Sequence, residues 1–559
     1  MKLLTYKILF PIAAMVLLCI SACKKDFLER TPGVSLPEEN VFAKTTLATQ
    51  FADNAYTFLV DDYARFDTHR GSTSQASDEA VSGTSNSSVR LFNQGLYHDV
   101  SNVNALNDIL DIWKREYEGI RVTNMMLSKM DIVPWTSTDP RNRIEGEMHY
   151  LRAFFYFELI KRFGGVPIVD RVYETNEDID FPRNTYDECL AFIIKDLDLA
   201  DQLLPASYDG ANNGRATLGG AAALRSRVLL YAASKLNNDS GDPVKWRAAS
   251  NAAAKVMGMG YSLQATYDDI LNVAESPEYI MIKIRGPRLA TENKIVDFAQ
   301  SPGSNSISGS MNPTQNHVDL YEAVKKDGTG KIISSAAIGD ANSGYNPQAP
   351  YDNRDPRLSA NVLYNDRAWQ GRRLQMWDGG KDYSSTNTIY TATRYYCRKY
   401  WPEPYIRGQS GTALLNFVYF RYAEILLNFA EAKNEYEGPV DSVYTAINLI
   451  RTRVGMPGLP QGLSKDEMRL RIRNERAVEL AFEDHRWYDI MRWKIGPQVV
   501  AQPMYGMNVV RNTNGTFTYS RVLLPNAFQK VYLDHMHRYP IPRQEVQKSK
   551  GILLQNPGW

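Results

Sequence analysis

Residues 474–493 read NERAVELAFEDHRWYDIMRW. Placed on a helix, Ile472, Glu475, Glu479 and Glu483 share one face, because residues four apart lie one turn above each other. Three carboxylates in a row repel one another and require cations, and Arg473, Arg476, Arg486 and Arg492 are within reach. Leu480, Phe482, Trp487, Tyr488 and Trp493 add apolar bulk, so the stretch is built for burial, and buried charges must be paired. One reading makes the glutamates a general acid and base, as in glycoside hydrolysis. The other makes them an ion-pair network where helices meet, and the absence of a nucleophile or metal motif nearby favours it.

The chain has 559 residues, 43% of them hydrophobic, enough for a sizeable core. Lys and Arg (64) almost cancel Asp and Glu (63), so the sequence carries no basic stripe for nucleic acid and no acidic tail.

Residues 1–22 read as an export signal. Lys2 and Lys7 precede an apolar run, residues 8–20, that is too short to span a bilayer. Ile20-Ser21-Ala22-Cys23 has the form of a lipobox, which predicts cleavage before Cys23 and acylation of its thiol. More than one acyl chain would anchor the protein stably without a spanning helix. Residues 23–42, with Pro32-Gly33 and Pro37, read as the acylated N-terminus and its tether. Once the signal is removed with Cys19 and Cys23 is acylated, Cys189 and Cys397 remain; two separate buried thiols are favoured over a disulfide between them.

Helical spacing of apolar residues recurs over 45–60, 105–130, 141–163, 185–204, 216–235, 244–258, 420–436, 441–453 and 465–494. In 141–163 the stripe is Ile144, Met148, Leu151, Phe155 and Leu159, and Gly164-Gly165 with Pro167 ends it. Helical hairpins in succession suggest a tetratricopeptide-like stack, although the text of that repeat is absent and periodicity alone is also met by a plain helical bundle. The predicted fold is mostly α, with one domain over residues 43–559.

Residues 262–415 break the helical pattern with Gly, Ser, Asn and Pro, and a segment of this length reads as a functional insertion or irregular subdomain. It gathers Trp369, Trp377, Tyr383, Tyr395 and Trp401 beside Arg372, Arg373, Asp378 and Lys381. Flat rings next to directed polar groups suit a sugar, whose C–H face stacks while its hydroxyls find partners. The same rings also suit a subdomain that must find its own core. The residues expected to contact ligand are Trp369, Trp377, Tyr395 and Trp401, with Arg372 and Asp378 as polar partners, joined by Asp78 and Tyr97 from the Ser- and Gly-rich 64–100 loop.

Several blocks resemble one family. Residues 475–493 are similar to the signature helix of SusD/RagB-type outer-membrane lipoproteins. Residues 146–167 (GEMHYLRAFFYFELIKRFGGVP), 353–357 (NRDPR), 420–427 (FRYAEILL), Tyr539-Pro540-Ile541-Pro542 and Gln555-Asn556-Pro557-Gly558-Trp559 resemble further blocks in the family's order. The resemblance implies about four tetratricopeptide-like helix pairs cradling an irregular, ligand-binding half. It also implies a surface-exposed, lipid-anchored protein of the outer membrane that captures oligosaccharide or polysaccharide fragments and delivers them to a SusC-like TonB-dependent transporter, without catalysis or cofactor. The matched blocks are scaffold, so no ligand contact is carried over.

Two competing classes are a helical scaffold that binds peptide or glycoprotein and a helical glycoside hydrolase using Glu475 with Glu483, or Asp78 with Glu79. An aromatic arc on the insertion favours glycan; an apolar groove on the helices favours peptide. His535 and His537 would face the same way on a strand, but the sequence shows no third ligand and a structural role is expected. Asn237 to Asp242 reads as a turn rather than a calcium loop.

Overall fold

The computed structural model describes residues 37–60, 64–67, 71–83, 88–96, 107–174, 177, 180–268, 270–284, 302, 311–386, 390–400, 403 and 416–559. Its frame is a run of helices: α1 (Thr45–Asn54), α2 (Asn107–Lys129), α3 (Thr138–Phe163), α4 (Tyr186–Leu203), α5 (Leu218–Ala233), α6 (Pro243–Met257), α7 (Tyr422–Glu437), α8 (Asp441–Arg453), α9 (Lys465–Glu479) and α10 (Arg486–Trp493). From α2 to α8 each packs on the next in chain order, and α9 packs against α7 and α8. This is the succession of hairpins that a tetratricopeptide-like stack requires. Among the described residues no helix is long and apolar enough to cross a membrane.

The helix limits follow local chemistry. Thr185 and Glu188 form a reciprocal capping box at the start of α4, as Ser464 and Glu467 do at α9, each satisfying donors that the first turn leaves open. Asp242 caps α6 with Pro243 in its first position. Asn237 to Asp242 is accordingly the turn between α5 and α6. The predicted stripe of α3 is fully buried, and so are Tyr150, Phe154, Tyr156 and Phe157 on its other faces, which makes α3 the central helix. It begins at Thr138 rather than after Pro140, because a proline in the first turn removes an N–H that has no intrahelical acceptor. At its end Gly164 takes φ +77°, and a Cβ on Gly165 would lie 2.0 Å from the Asn184 carbonyl. Only glycine permits that approach.

The 465–494 stretch is not one helix. It stops at Glu479 and resumes at Arg486, and between them Phe482 and Asp484 adopt left-handed φ of +64° and +67°. The Phe482 N–H donates to Glu79 at 2.9 Å, its carbonyl accepts from the Tyr400 hydroxyl, and Asp484 accepts from Thr73. Contacts from residues some 80 to 400 positions away over-determine this strained turn.

Six strands recur below: β1 (Ala80–Ser82), β2 (Tyr279–Lys283), β3 (Met311–Pro313), β4 (Phe417–Arg421), β5 (Tyr505–Arg511) and β6 (Phe517–Leu523). They pair antiparallel as β1 with β3, β2 with β4 and β5 with β6. The β2–β4 ladder joins the two ends of the 262–415 segment, so the irregular half leaves and re-enters the helical half at one place. Cys189 and Cys397 are separate, buried free thiols.

Candidate functional site

The three glutamates of the signature stretch clamp the irregular half to the helices. Arg357 holds Asp355 at 2.7 Å and also reaches Glu475 and Glu479, while Arg421 lies 2.7 Å from each of Glu278, Glu479 and Glu483. Arg451 joins Glu475 to Glu322, Arg453 joins Glu479 to Glu278, and Lys399 pairs with Glu483. Burial pushes the Glu479 carboxyl up, but Arg453, Arg421 and Arg357 outweigh it and hold the group well below the usual carboxylate range. Carboxylates held by several buried cations at once suit an architectural role. The partners differ from those expected from the sequence. Arg486 instead pairs with Asp78, Arg476 with Asp489, Arg492 with Asp489 and Glu431, and Arg473 lies over the Trp493 ring.

The residues expected to touch ligand separate into three groups. Trp369 (1% exposed), Tyr395 (0%) and Asp78 (5%) lie inside the protein and have no open face. Tyr395 donates to Gln315 at 2.6 Å and accepts from Tyr351, and Asp78 accepts from Arg486 at 2.8 and 2.9 Å. Their rings and charges serve the core, because an insertion with few helices has to pack around its own aromatics. Cys23, Tyr97 and Trp401 fall outside the described residues.

Trp377, Asp378 and Arg372 form the third group, and one loop brings them together at the surface. Arg372 forks onto Asp382 with two bonds of 2.6 Å, and Asp382 also accepts from the Gln375 N–H at 2.8 Å, which braces the loop. The half-buried Trp377 then opens a turn that closes when the Gly380 N–H donates to its carbonyl. Beside it the side chain of Asp378, 60% exposed, accepts from Arg394 at 3.0 Å. The Arg394 guanidinium also bonds the Met376 and Val509 carbonyls and lies 3.8 Å from the Tyr383 ring centroid. Trp377 packs against Phe517 at 5.2 Å between centroids, with the Arg511 guanidinium 5.3 Å from its ring. The result is a half-open indole ringed by fixed hydrogen-bonding groups, a shape that suits the apolar face and hydroxyl edge of a pyranose.

Arg511 and Phe517 come from the β5–β6 hairpin, which periodicity over the helices did not reveal. Its signal is nevertheless in the sequence: two seven-residue strands flank Asn512-Thr513-Asn514-Gly515-Thr516, and Gly515 takes φ +85°. His535 and His537 lie in a single 3-10 turn rather than a strand. His537 bonds the Tyr532 hydroxyl at 2.8 Å, and burial lowers it to about 4. Among the described residues no group of three His, Cys, Asp or Glu is placed to hold a metal ion.

On the helical side, a groove of about 1040 Å³ runs between α2 and the chain end, lined by Trp113, Tyr117, Phe181 and Leu553 together with charges such as Lys114 and Lys548.

Residues 277–559 match the SusD family, and residues 26–230 match a family described as "Starch-binding associating with outer membrane". SusD-like protein P2 of Formosa agariphila is 25% identical over 99% of both chains, and SusD-like protein P25 of the same organism is 22% identical over 96% of both. Among solved structures, a SusD-like protein of Bacteroides fragilis superposes with a TM-score of 0.77 at 26% identity, covering 94% of this chain and 99% of that one. A laminarin-binding SusD-like protein superposes with a TM-score of 0.64 at 20% identity, covering 93% and 100%.

Proposed function

Since the chain belongs to the SusD family, we propose that it captures oligosaccharide or polysaccharide fragments at the cell exterior and delivers them to a SusC-like TonB-dependent transporter. In this reading it is held on the outer membrane by lipid on Cys23 and binds glycan without cleaving it. The observation that carries the reading is the half-buried Trp377, which lies in a loop with Asp378 fixed by Arg394 and packs against Phe517 with the Arg511 guanidinium over its ring. Support comes from a family description that names starch binding and the outer membrane, and from relatives described as binding carbohydrate, laminarin in one instance. Of the carboxylates that a hydrolase would use, Glu475 and Glu483 are locked in ion pairs with Arg357, Arg451, Arg421 and Lys399, and Asp78 is held by Arg486.

The test is calorimetric titration of the mature chain, residues 23–559 in detergent, with a panel of plant, algal and host oligosaccharides, each sample also assayed for released sugar. Saturable binding to one glycan class with no release is the expected outcome, and Trp377→Ala weakens it about tenfold, which is about 1.4 kcal/mol. Sugar release would replace this reading with hydrolysis. A second reading, capture of peptide or glycoprotein, is favoured by the aromatic groove beside α2. Binding of peptides but of no glycan would establish it.

A further inference from the structure

The charges around Trp377 do not cancel. Three carboxylates of its loop are occupied: Asp366 by Arg373, Asp378 by Arg394 and Asp382 by Arg372. Two exposed cations of the same surface, Arg511 and Lys381, have no carboxylate partner among the described residues. Lys381 follows the turn that Trp377 opens, its N–H held by the Gln375 side chain. Against the two cations stands Asp352, an exposed acid near Tyr519 with no ion-pair partner among the described residues, while Tyr519 accepts from the Asn365 amide.

An unpaired guanidinium against an indole is held by the ring's negative face while its N–H fork stays available. A pyranose stacked on the rest of that indole would carry its ring substituents toward the fork. We infer that the glycan received here is anionic, bearing a carboxylate or a sulfate on the sugar at Trp377, and that Arg511, with Lys381, takes the oxyanion. This inference rests on the glycan-binding reading above and narrows it. Guanidinium and carboxylate or sulfate meet as a two-pronged, charge-assisted pair, which neutral hydroxyls cannot reproduce.

The experiment compares three oligosaccharides of equal length on the mature lipidated chain in detergent: an oligogalacturonate, a sulfated galactan fragment and a neutral β-glucan, each at low and high salt. Expected is at least tenfold tighter binding of one charged ligand, the uronate or the sulfated sugar identifying which oxyanion is used. That margin shrinks as salt rises. Arg511→Gln with Lys381→Gln brings charged and neutral ligands to within about threefold of each other, and Arg511→Lys restores part of the margin. Melting curves of the variants establish that they are folded. Equal binding of neutral and charged sugars, or a margin that survives the double substitution, overturns the inference and leaves glycan capture standing. Failure of all three sugars, and of the wider panel, overturns both.

Discussion

Glu79 shows how one residue can report on the assembly. It is buried, and it receives the Phe482 N–H at the strained turn between α9 and α10. Burial raises its carboxyl to about 7, against hydrogen bonds from Phe482 and Ser74. Close by, burial lowers Lys530 to about 7 although it donates to the carbonyls of Gln75, Ser77 and Ala80. A carboxyl raised on folding is favoured in its protonated form. Its contribution is therefore greatest at and below the unfolded value of 4.5 and is lost as pH rises through 7. Lys530 has the opposite sign, costing stability as pH falls from 10.5 through 7. Urea unfolding of the wild type between pH 5 and 8 should show the Glu79 loss, on the order of 3 kcal/mol before its neighbour's charge offsets part of it. In Glu79→Gln that part of the slope should be absent. An unchanged slope would mean that Glu79 ionises freely.

At the scale of elements, the end of α3 rests on Gly165. A methyl there would collide with the backbone at Asn184, which cannot swing aside as a side chain could. Gly165→Ala is expected to lower stability by about 1–3 kcal/mol, read as a shift of the urea midpoint at unchanged slope. The elements also show what the sequence could convey. The long helices were legible because their apolar spacing and caps are local, and α3 was found by its stripe of Ile144 to Leu159. The break after Glu479 was not, since it is imposed by Glu79, Thr73 and Tyr400, which reach the turn from remote segments. Composition did locate a surface containing Trp377, Asp378 and Arg372. It could not separate them from Trp369 and Tyr395, because an aromatic that packs an irregular half and one that opens to solvent are the same residue type. Arg511 and Phe517 join the surface from a hairpin more than a hundred residues away, beyond what local pattern can convey.

Across the whole molecule, charge pairs and the β2–β4 ladder join an irregular half to a helical frame. Arg357 and Lys399 of the irregular half pair with Glu475, Glu479 and Glu483, and its Glu278 pairs with Arg421 and Arg453. Removing one partner of such a network leaves its neighbour charged, buried and alone, so the halves stand or fall together. The thiols offer a measure of that unity, one lying in each half. Burial raises Cys189 to about 11 and Cys397 to about 12, and both are enclosed. Labelling with a thiol reagent at pH 8 should modify neither in the folded mature chain and both in denaturant, in a single step along the urea curve. Early reaction of Cys397 alone would show that the irregular half opens by itself.

On the proposed reading, glycan is captured on the Trp377 surface of the irregular half. The decisive measurement is a crystal structure of the mature chain with the tightest ligand of the oligosaccharide panel. A sugar ring stacked on the Trp377 indole is expected, with polar contacts to Asp378, Arg394 or Arg511. A ligand lying in the groove beside α2, or anywhere that leaves Trp377 uncovered, would contradict it.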